Sequence, residues 1–150
     1  SSIGQYDVAA SPLQMAMVAA GIANDGVLME PYLTKSVRAA NLQTVWTHKD
    51  TPMSTPMTRE SAKQLQQMMV SVVNNGTGRN ARISGVTVGG KTGTAQTSPD
   101  KPPYAWFVGW SDKPKVAVAV FVESSNTERS EIAGGRLGAP IARDVIEALR

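Results

Sequence analysis

The segment Lys91-Thr92-Gly93-Thr94 brings a cation, two hydroxyl groups and a glycine together in four residues. It follows β-branched residues, so it is predicted to lie at the end of a strand. The glycine lets another backbone approach closely. A strand edge can pair with an extended chain, while the ammonium and hydroxyl groups can hold an anion. The pattern therefore predicts a site for a peptide that ends in a carboxylate. The alternative is an ordinary edge strand with an exposed lysine.

The same region satisfies the P-loop pattern G-x-x-x-x-G-K-[ST] from Gly85 to Thr92. That pattern binds phosphate only when a strand precedes it and a helix begins at the lysine. Residues 74–84 form a polar, glycine-containing segment instead, and Gly93 and Pro99 follow where a helix would grow. A nucleotide site is therefore kept as a remote alternative.

Composition excludes several other classes of function. The chain has 150 residues, a formal net charge of +3, 5% aromatic residues, one histidine and no cysteine. The basic residues do not cluster, so no nucleic-acid partner is expected. Without cysteine or a second histidine, no metal site and no cofactor are expected. His48 is predicted to be a solvated loop residue. No apolar run approaches the ~18 residues of a membrane span.

Helical signals occur in two places in the first half of the chain. Ser11 is a predicted N-cap for residues 12–23, which are apolar on almost every side and are expected to be buried on most sides. Short strands are predicted at residues 35–39 and 44–46. A second helix is predicted between Thr58 and Gly76, with an apolar face. That face is formed by Ala62, Leu65, Met68, Met69, Val72 and Val73.

Three strand signals follow, at residues 86–94, 105–110 and 115–122. Both faces of the third run are apolar, so the sheet is expected to be covered on both sides. Residues 138–150 close the chain with a predicted helix whose apolar stripe contains Ile141, Val145, Ile146 and Leu149. The predicted fold class is α/β (α+β), a central antiparallel sheet covered by helices on both faces.

Residues 91–95 resemble the K-T-G box of penicillin-binding proteins and serine β-lactamases. Other segments are similar to class B, high-molecular-mass penicillin-binding proteins in the same order: Gly4-Gln5, residues 11–16, residues 22–26, residues 75–78, residues 105–109 and residues 134–141. The resemblance implies the penicillin-binding protein fold and a serine-type peptidoglycan D,D-transpeptidase that cross-links stem peptides and binds β-lactams. Alternatives on the same fold are a D,D-carboxypeptidase, a β-lactamase and a β-lactam-binding sensor.

The resemblance also implies roles for individual residues. Lys91 would be catalytic, supporting proton transfer around a serine, and would bind substrate together with Thr92, Gly93 and Thr94. The hydroxyls of Thr92 and Thr94 would hold the terminal carboxylate. The backbone N–H of Thr94 would form part of an oxyanion hole. Gly93 would keep the approach clear.

The family's S-x-x-K and S-x-N boxes should precede the K-T-G strand. The sequence satisfies both patterns only afterwards, at Ser98 to Lys101 and Ser124 to Asn126, so both are interpreted as coincidences. Residues 1–150 are therefore expected to be the C-terminal portion of one transpeptidase domain, inactive alone, with the nucleophile in an upstream portion that is its partner. Its expected location is the extracytoplasmic face of the bacterial membrane, with any anchor outside this chain.

Overall fold

Helix α1, Pro12–Ala23, is the first element of the computed structural model, which describes residues 8–96 and 100–150. Ser11 caps the helix as predicted: Gln14 N donates to Ser11 Oγ at 3.2 Å, and Ser11 N donates to Gln14 Oε1 at 2.8 Å. Gly4, Gln5, Ser98 and Pro99, which entered the sequence interpretation, lie outside the described residues.

The described residues bury only one side of α1, so its expected burial on most sides stays a prediction for a larger body than this chain supplies. Only Ala19, Gly21 and Ile22 are buried, while Leu13 is 59% exposed and Val18 is 48% exposed. The described elements cover one side of the helix, so the apolar residues on its other side face outward. This helix therefore presents more apolar surface than a soluble helix usually leaves uncovered.

Two small two-stranded sheets occupy the segment after α1. The outer pair is β1, Leu28–Met29, with β4, Pro52–Ser54, and the inner pair is β2, Ser36–Arg38, with β3, Thr44–Thr47. The two strands predicted here, at residues 35–39 and 44–46, correspond to β2 and β3, whereas β1 and β4 were not predicted. His48 lies in a loop, as predicted, but it is only partly solvated, because its ring stacks on Tyr32 at a centroid distance of 3.6 Å.

Helix α2, Arg59–Asn75, confirms the second predicted helix. Its N-cap is Thr58, whose Oγ1 accepts from Ser61 N at 3.1 Å. Its buried residues are Ala62, Met69 and Val73, whereas Met68, predicted on the same face, is 57% exposed. The helix is joined to α1 by a hydrogen bond from Gln66 Nε2 to Ile22 O at 2.7 Å and an ion pair between Arg59 and Asp25 at 3.4 Å.

The main sheet contains three antiparallel strands, in the order β5-β6-β7. They are β5, Val88–Ala95, β6, Tyr104–Asp112, and β7, Lys115–Val122. The pairing of β5 with β6 runs without a register shift from Val88 opposite Ser111 to Ala95 opposite Tyr104. The P-loop alternative is wrong, because Lys91 and Thr92 lie inside a strand and no helix begins there.

Helices cover both faces of this sheet, which confirms the predicted fold class. On one face, Phe107 packs with residues of α2 and of α3, Ala139–Ala148. This core cluster includes Val73, Val88, Val118, Val120, Ala139, Ala142 and Ile146. On the other face, Trp110 packs with Ile22 of α1 and Met69 of α2. The two helical layers fix the sheet from both sides, so its free edge keeps a defined shape.

The predicted apolar stripe of the last helix is only partly correct. Ile146 is buried, but Ile141, Val145 and Leu149 are each close to half exposed. Two alanines share the buried face with Ile146, and these small residues let the helix lie close to the sheet. A π-helical turn, Gly134–Gly138, leads directly into this helix. Within residues 8–96 and 100–150, no helix has both the length and the apolar character needed to span a bilayer.

We predict that Phe107→Ala lowers the free energy of unfolding by about 3–5 kcal/mol, because it removes a fully buried ring from the core. Urea unfolding of the complete protein measures the change. Val37→Ala is the control: its side chain is 45% exposed, so the change should cost no more than about 0.5 kcal/mol. Equal effects of the two substitutions would contradict this assignment of the core.

We also predict that Asp112 contributes to acid unfolding. Burial raises the pKa of this carboxyl. The hydrogen bonds from Thr87 and the positive charge of the nearby Lys113 lower it and outweigh the effect of burial, so the pKa lies below its ordinary value of 3.8. Thr87 N donates to Asp112 Oδ1 at 2.8 Å. The ionised Asp112 carboxylate therefore contributes its full stabilisation above the ordinary pKa. This stabilisation is lost as the pH falls through the lowered pKa of the folded state. The urea midpoints of wild type and Asp112→Asn should converge below about pH 4; a constant difference at lower pH would contradict this.

Candidate functional site

The free edge of β5 is the surface on which the predicted site residues lie. Hydrogen-bonded and non-hydrogen-bonded pairs alternate along an antiparallel ladder. Asp112 N donates to Thr87 O at 3.1 Å just before β5 begins, and the register then continues without a shift. The odd-numbered residues of β5 are therefore the ones bonded to β6. It follows that the N–H and C=O groups of Thr92 and Thr94 point toward the free edge.

The side chain of Lys91 supports this assignment. Its Nζ donates to Thr92 O at 2.6 Å, so this carbonyl is available on the outer side of the strand. The ammonium group therefore lies along the edge instead of extending into solvent. An incoming anion or carbonyl group would meet the lysine cation beside an outward-pointing backbone.

The four predicted residues do not share one face of the sheet. Lys91 and Gly93 are on the face that α1 covers, where their partners in β6 are Val108 and Trp106. Thr92 and Thr94 are on the opposite face, with Phe107 and Ala105 as partners. Because β5 is an edge strand among the described residues, both sets still border the same edge.

Thr77 is a neighbour of the site that the sequence interpretation did not assign to it. Its Oγ1 lies 2.8 Å from Thr92 Oγ1, and either hydroxyl can be the donor. The contact fixes the hydroxyl of Thr92 at the strand edge. Fifteen residues separate the two threonines, and no local periodicity connects a loop with a strand at that distance.

An apolar cavity of about 510 Å³ adjoins the edge on the α1 side. Met15, Trp106 and Phe121 are among the apolar residues of its wall, and residues 91–95 form one border. The rings of Trp106 and Phe121 lie 4.6 Å apart and support each other. The site therefore combines a polar strand edge with an apolar wall. Among the described residues, no cluster of three or more histidine and acidic side chains is placed to hold a metal ion.

Glycines of the π-helical turn support β5 from the other face. A Cβ on Gly134 would overlap Trp106 O and lie 2.8 Å from Gly93 O. A Cβ on Gly135 would overlap Thr77 O, and Asn80 Nδ2 donates to Gly135 O at 2.9 Å. The turn therefore holds the strand and the Thr77 loop in direct backbone contact. Larger residues at these two positions would separate them.

Both of the serine patterns follow this strand in the chain. Ser98 is outside the described residues, and Ser124 to Asn126 belong to the irregular connection after β7. The interpretation of both patterns as coincidences stays a prediction.

Comparison with known proteins identifies the family. The protein-family model that describes the penicillin binding protein transpeptidase domain matches residues 1–147. The chain belongs to this family. The predicted resemblance to class B penicillin-binding proteins is therefore confirmed. The chain is 42% identical to the peptidoglycan D,D-transpeptidase PbpA of Mycolicibacterium smegmatis, covering 99% of this chain and 31% of the relative. It is 40% identical to PbpA of Mycobacterium tuberculosis, with the same coverage.

Solved structures of the family share the fold. Penicillin-binding protein A from M. tuberculosis superposes with a TM-score of 0.87 at 39% identity, covering 99% of this chain and 36% of that chain. Its imipenem acyl-enzyme complex superposes with a TM-score of 0.84 at 39% identity, covering 99% of this chain and 33% of that chain. This chain therefore spans about a third of the length of these relatives.

We predict that Gly134→Ala destabilises the protein by about 1–3 kcal/mol, because the added methyl group overlaps the backbone of β6 and β5. Thermal unfolding of the complete protein measures the loss. Ser124→Ala is the control in the same connection, where the side chain is exposed and a change of at most about 0.5 kcal/mol is expected. An unchanged melting temperature for Gly134→Ala would contradict the close contact.

Proposed function

We propose that this chain supplies the substrate-binding strand of a peptidoglycan D,D-transpeptidase. The observation that carries the proposal is the free edge of β5, where Lys91, two threonine hydroxyls and outward-pointing amides border an apolar cavity. Support comes from family membership and from relatives named peptidoglycan D,D-transpeptidase.

The substrate would be a stem peptide that ends in D-Ala-D-Ala. A serine outside this chain attacks the carbonyl carbon of the penultimate D-alanine. The C–N bond to the last D-alanine breaks, its nitrogen leaves with the serine proton, and an ester remains. The amine of a second stem then attacks the ester carbonyl and gives up a proton, which the departing serine oxygen takes. The product is an amide bond between two stems.

Each residue at the edge has a role in this scheme. The Thr94 N–H would stabilise the negative oxygen of the tetrahedral intermediate, a contribution of roughly 3 kcal/mol in comparable sites. The hydroxyls of Thr92 and Thr94 would bind the terminal carboxylate, with Thr77 orienting that of Thr92. Lys91 would exchange its bond to Thr92 O for contacts in the completed site and support proton transfer there. Gly93 leaves room for the peptide.

The apolar cavity suits the methyl groups of the two alanines, since its wall is formed largely by aromatic and aliphatic side chains. The same surface would receive a β-lactam. Penicillin-binding protein A from M. tuberculosis has solved structures of its imipenem and penicillin G acyl-enzyme complexes. These structures support the proposal that this surface receives a β-lactam.

Residues 1–150 would form the C-terminal portion of one transpeptidase domain, completed by an upstream portion that carries the serine and the S-x-N box. This chain by itself would then be inactive. Peptidoglycan is assembled outside the cell membrane, so the proposed location is its extracytoplasmic face. Any anchor would belong to another part of the protein.

We predict that Thr94→Pro in the complete protein lowers the rate of penicillin acylation by about 100-fold or more, because proline removes the N–H of the oxyanion hole. That N–H points away from β6, so the substitution removes no bond of the sheet. Thr94→Ala is the matched comparison: it loses only the hydroxyl and keeps the N–H, so its rate should fall much less than that of Thr94→Pro. Lys91→Ala should nearly abolish acylation. Circular dichroism verifies the fold, and wild-type rates in Thr94→Pro and Lys91→Ala would contradict the proposal.

Peptide mapping by mass spectrometry after penicillin treatment tests where the nucleophile lies. We expect one adduct, on a serine outside residues 1–150. An adduct on Ser98 would show that the nucleophile has been misplaced. Release of D-alanine that depends on an added amine acceptor separates transpeptidation from the carboxypeptidase alternative.

A further inference from the structure

Residues 31–49 form a hairpin that projects from the domain and plays no part in the scheme above. Its strands, β2 and β3, pair with each other, and none of its residues belongs to either core cluster. Every residue of the hairpin is exposed except Ala39 and His48, which are partly buried. The described part of the chain therefore gains little core from a segment that contains six exposed large apolar side chains. They are Tyr32, Leu33, Val37, Leu42, Val45 and Trp46.

The hairpin extends from the end of α1 that is farther from the β5 edge. Met15, in the first turn of α1, lines the apolar cavity beside β5. Near the other end of the helix, Gly21 lies against Leu28 of β1, and β1 leads into the hairpin. The helix has 12 residues and is about 18 Å long. Most of the length of α1 therefore separates the hairpin from the proposed site.

One face of the hairpin carries aromatic rings that are held in place and still open on their outer side. Val37 is opposite Trp46 in the ladder. Side chains alternate along a strand, so Trp46 and His48 share this face. The ring of His48 stacks on Tyr32 and meets Trp46 edge-on at a centroid distance of 6.1 Å. Tyr32, Val37 and Trp46 are nevertheless each close to half exposed.

The turn at the tip of the hairpin holds a leucine in an unfavourable backbone conformation. Leu42 has a φ of +66°, in the left-handed region that glycine and asparagine adopt most readily. Its N–H donates to Ala39 O at 2.9 Å and closes the turn. Its side chain is 76% exposed, so packing among the described residues does not offset the strain. An exposed apolar side chain at such a φ indicates a contact with something outside this part of the chain.

The hairpin also carries the whole net charge of the chain. It contains three basic residues, Lys35, Arg38 and Lys49, and no acidic residue. The other twelve basic residues are matched by the twelve acidic ones, of which Glu30 and Asp50 flank the base of the hairpin. Among the described residues, none of the three cations forms an ion pair. A surface that covers the hairpin must therefore receive apolar side chains and positive charge together.

We infer that the hairpin docks on the surface of an anionic phospholipid bilayer, with Tyr32 and Trp46 at the level of the headgroups. Tyrosine and tryptophan are enriched at membrane interfaces, because each has an apolar ring body and a polar group. Anionic headgroups attract the basic side chains, and the acyl chains below them accept apolar ones such as Leu42. An anionic bilayer offers both environments within one layer. The contact is additional to any anchor in another part of the protein.

Fluorescence quenching by brominated lipid in the complete protein tests the docking. The vesicles contain phosphatidylcholine with brominated acyl chains, with or without phosphatidylglycerol. The quenching in wild type minus that in Trp46→Phe is the part due to Trp46, so an anchor elsewhere does not affect the readout. We expect strong quenching of Trp46 in the anionic vesicles and about 10-fold less in phosphatidylcholine alone, because each cation near an anionic surface contributes about 5-fold.

Replacing the three cations together should have the same effect as removing the anionic lipid. The variant Lys35→Gln/Arg38→Gln/Lys49→Gln should lower the quenching of Trp46 about 10-fold or more in the anionic vesicles. The matched control makes the same change at three exposed basic residues outside the hairpin, and it should quench like wild type. The control residues are Lys63, Arg79 and Lys115.

Leu42→Asn separates docking from folding. Asparagine adopts the left-handed φ more readily than leucine, so the urea midpoint should be unchanged or higher. Loss of the apolar side chain should lower the quenching of Trp46 about 5-fold. A Leu42→Asn variant that unfolds more easily, or that quenches like wild type, contradicts the role given to this residue.

Absence of Trp46 quenching in the anionic vesicles overturns the inference, as does quenching that survives the loss of all three cations. Acrylamide then shows what takes the place of the bilayer: a Trp46 shielded from this soluble quencher without vesicles is covered by another part of the protein. Penicillin acylation should be at the wild-type rate in every hairpin variant, because α1 separates the hairpin from β5. The inference therefore stands or falls independently of the proposed function.

Discussion

The uninterrupted pairing of β5 with β6 is the constraint on which the rest of this structure depends. A strand bonded on one side only must present every second amide and carbonyl to the other side. In β5 the register makes Thr92 and Thr94 the residues with outward-pointing groups. A shift by one residue would turn these groups inward and exchange the two faces of the strand. The chemistry proposed for this edge therefore depends on a register set at Thr87 and Asp112, outside the site.

Close backbone contact holds this register in place. The π-helical turn lies against β5 and β6 at Gly134, and against the Thr77 loop at Gly135. It continues directly into α3, whose small buried residues bring it close to Phe107. The core and the site are thus connected by one continuous segment. Packing of the last helix contributes to the position of the strand edge without contributing a side chain to it.

Much of this arrangement could be predicted from sequence, because the signals are local. Alternating valines predict β7, caps at Ser11 and Thr58 predict two helices, and the K-T-G box predicts the strand edge. Contacts between distant segments could not be predicted in this way. The hydroxyl pair of Thr77 and Thr92 joins a loop to a strand, and sequence spacing carries no signal for it.

The placement of Lys91 on one face and of the two threonines on the other could be predicted from sequence, since side chains alternate along any strand. The outward-facing side of α1 has another origin. Its residues have the composition of a buried helix, but the described part of the chain supplies neighbours on one side only. Sequence indicates that such a helix should be covered, and it does not indicate what covers it.

The tight fit of glycines behind the strand has a consequence for evolution under antibiotic pressure. A Cβ on Gly89 would lie 2.5 Å from the ring of Trp110, and a Cβ on Gly90 would overlap the ring of Phe107. Both positions are closed to adaptive change, because any larger residue would displace the core. Beyond them, Ala95 and Gln96 border open space and have no assigned role in the reaction. We expect lineages exposed to β-lactams to diversify at these two residues and in the loops that face them, while the glycines stay invariant.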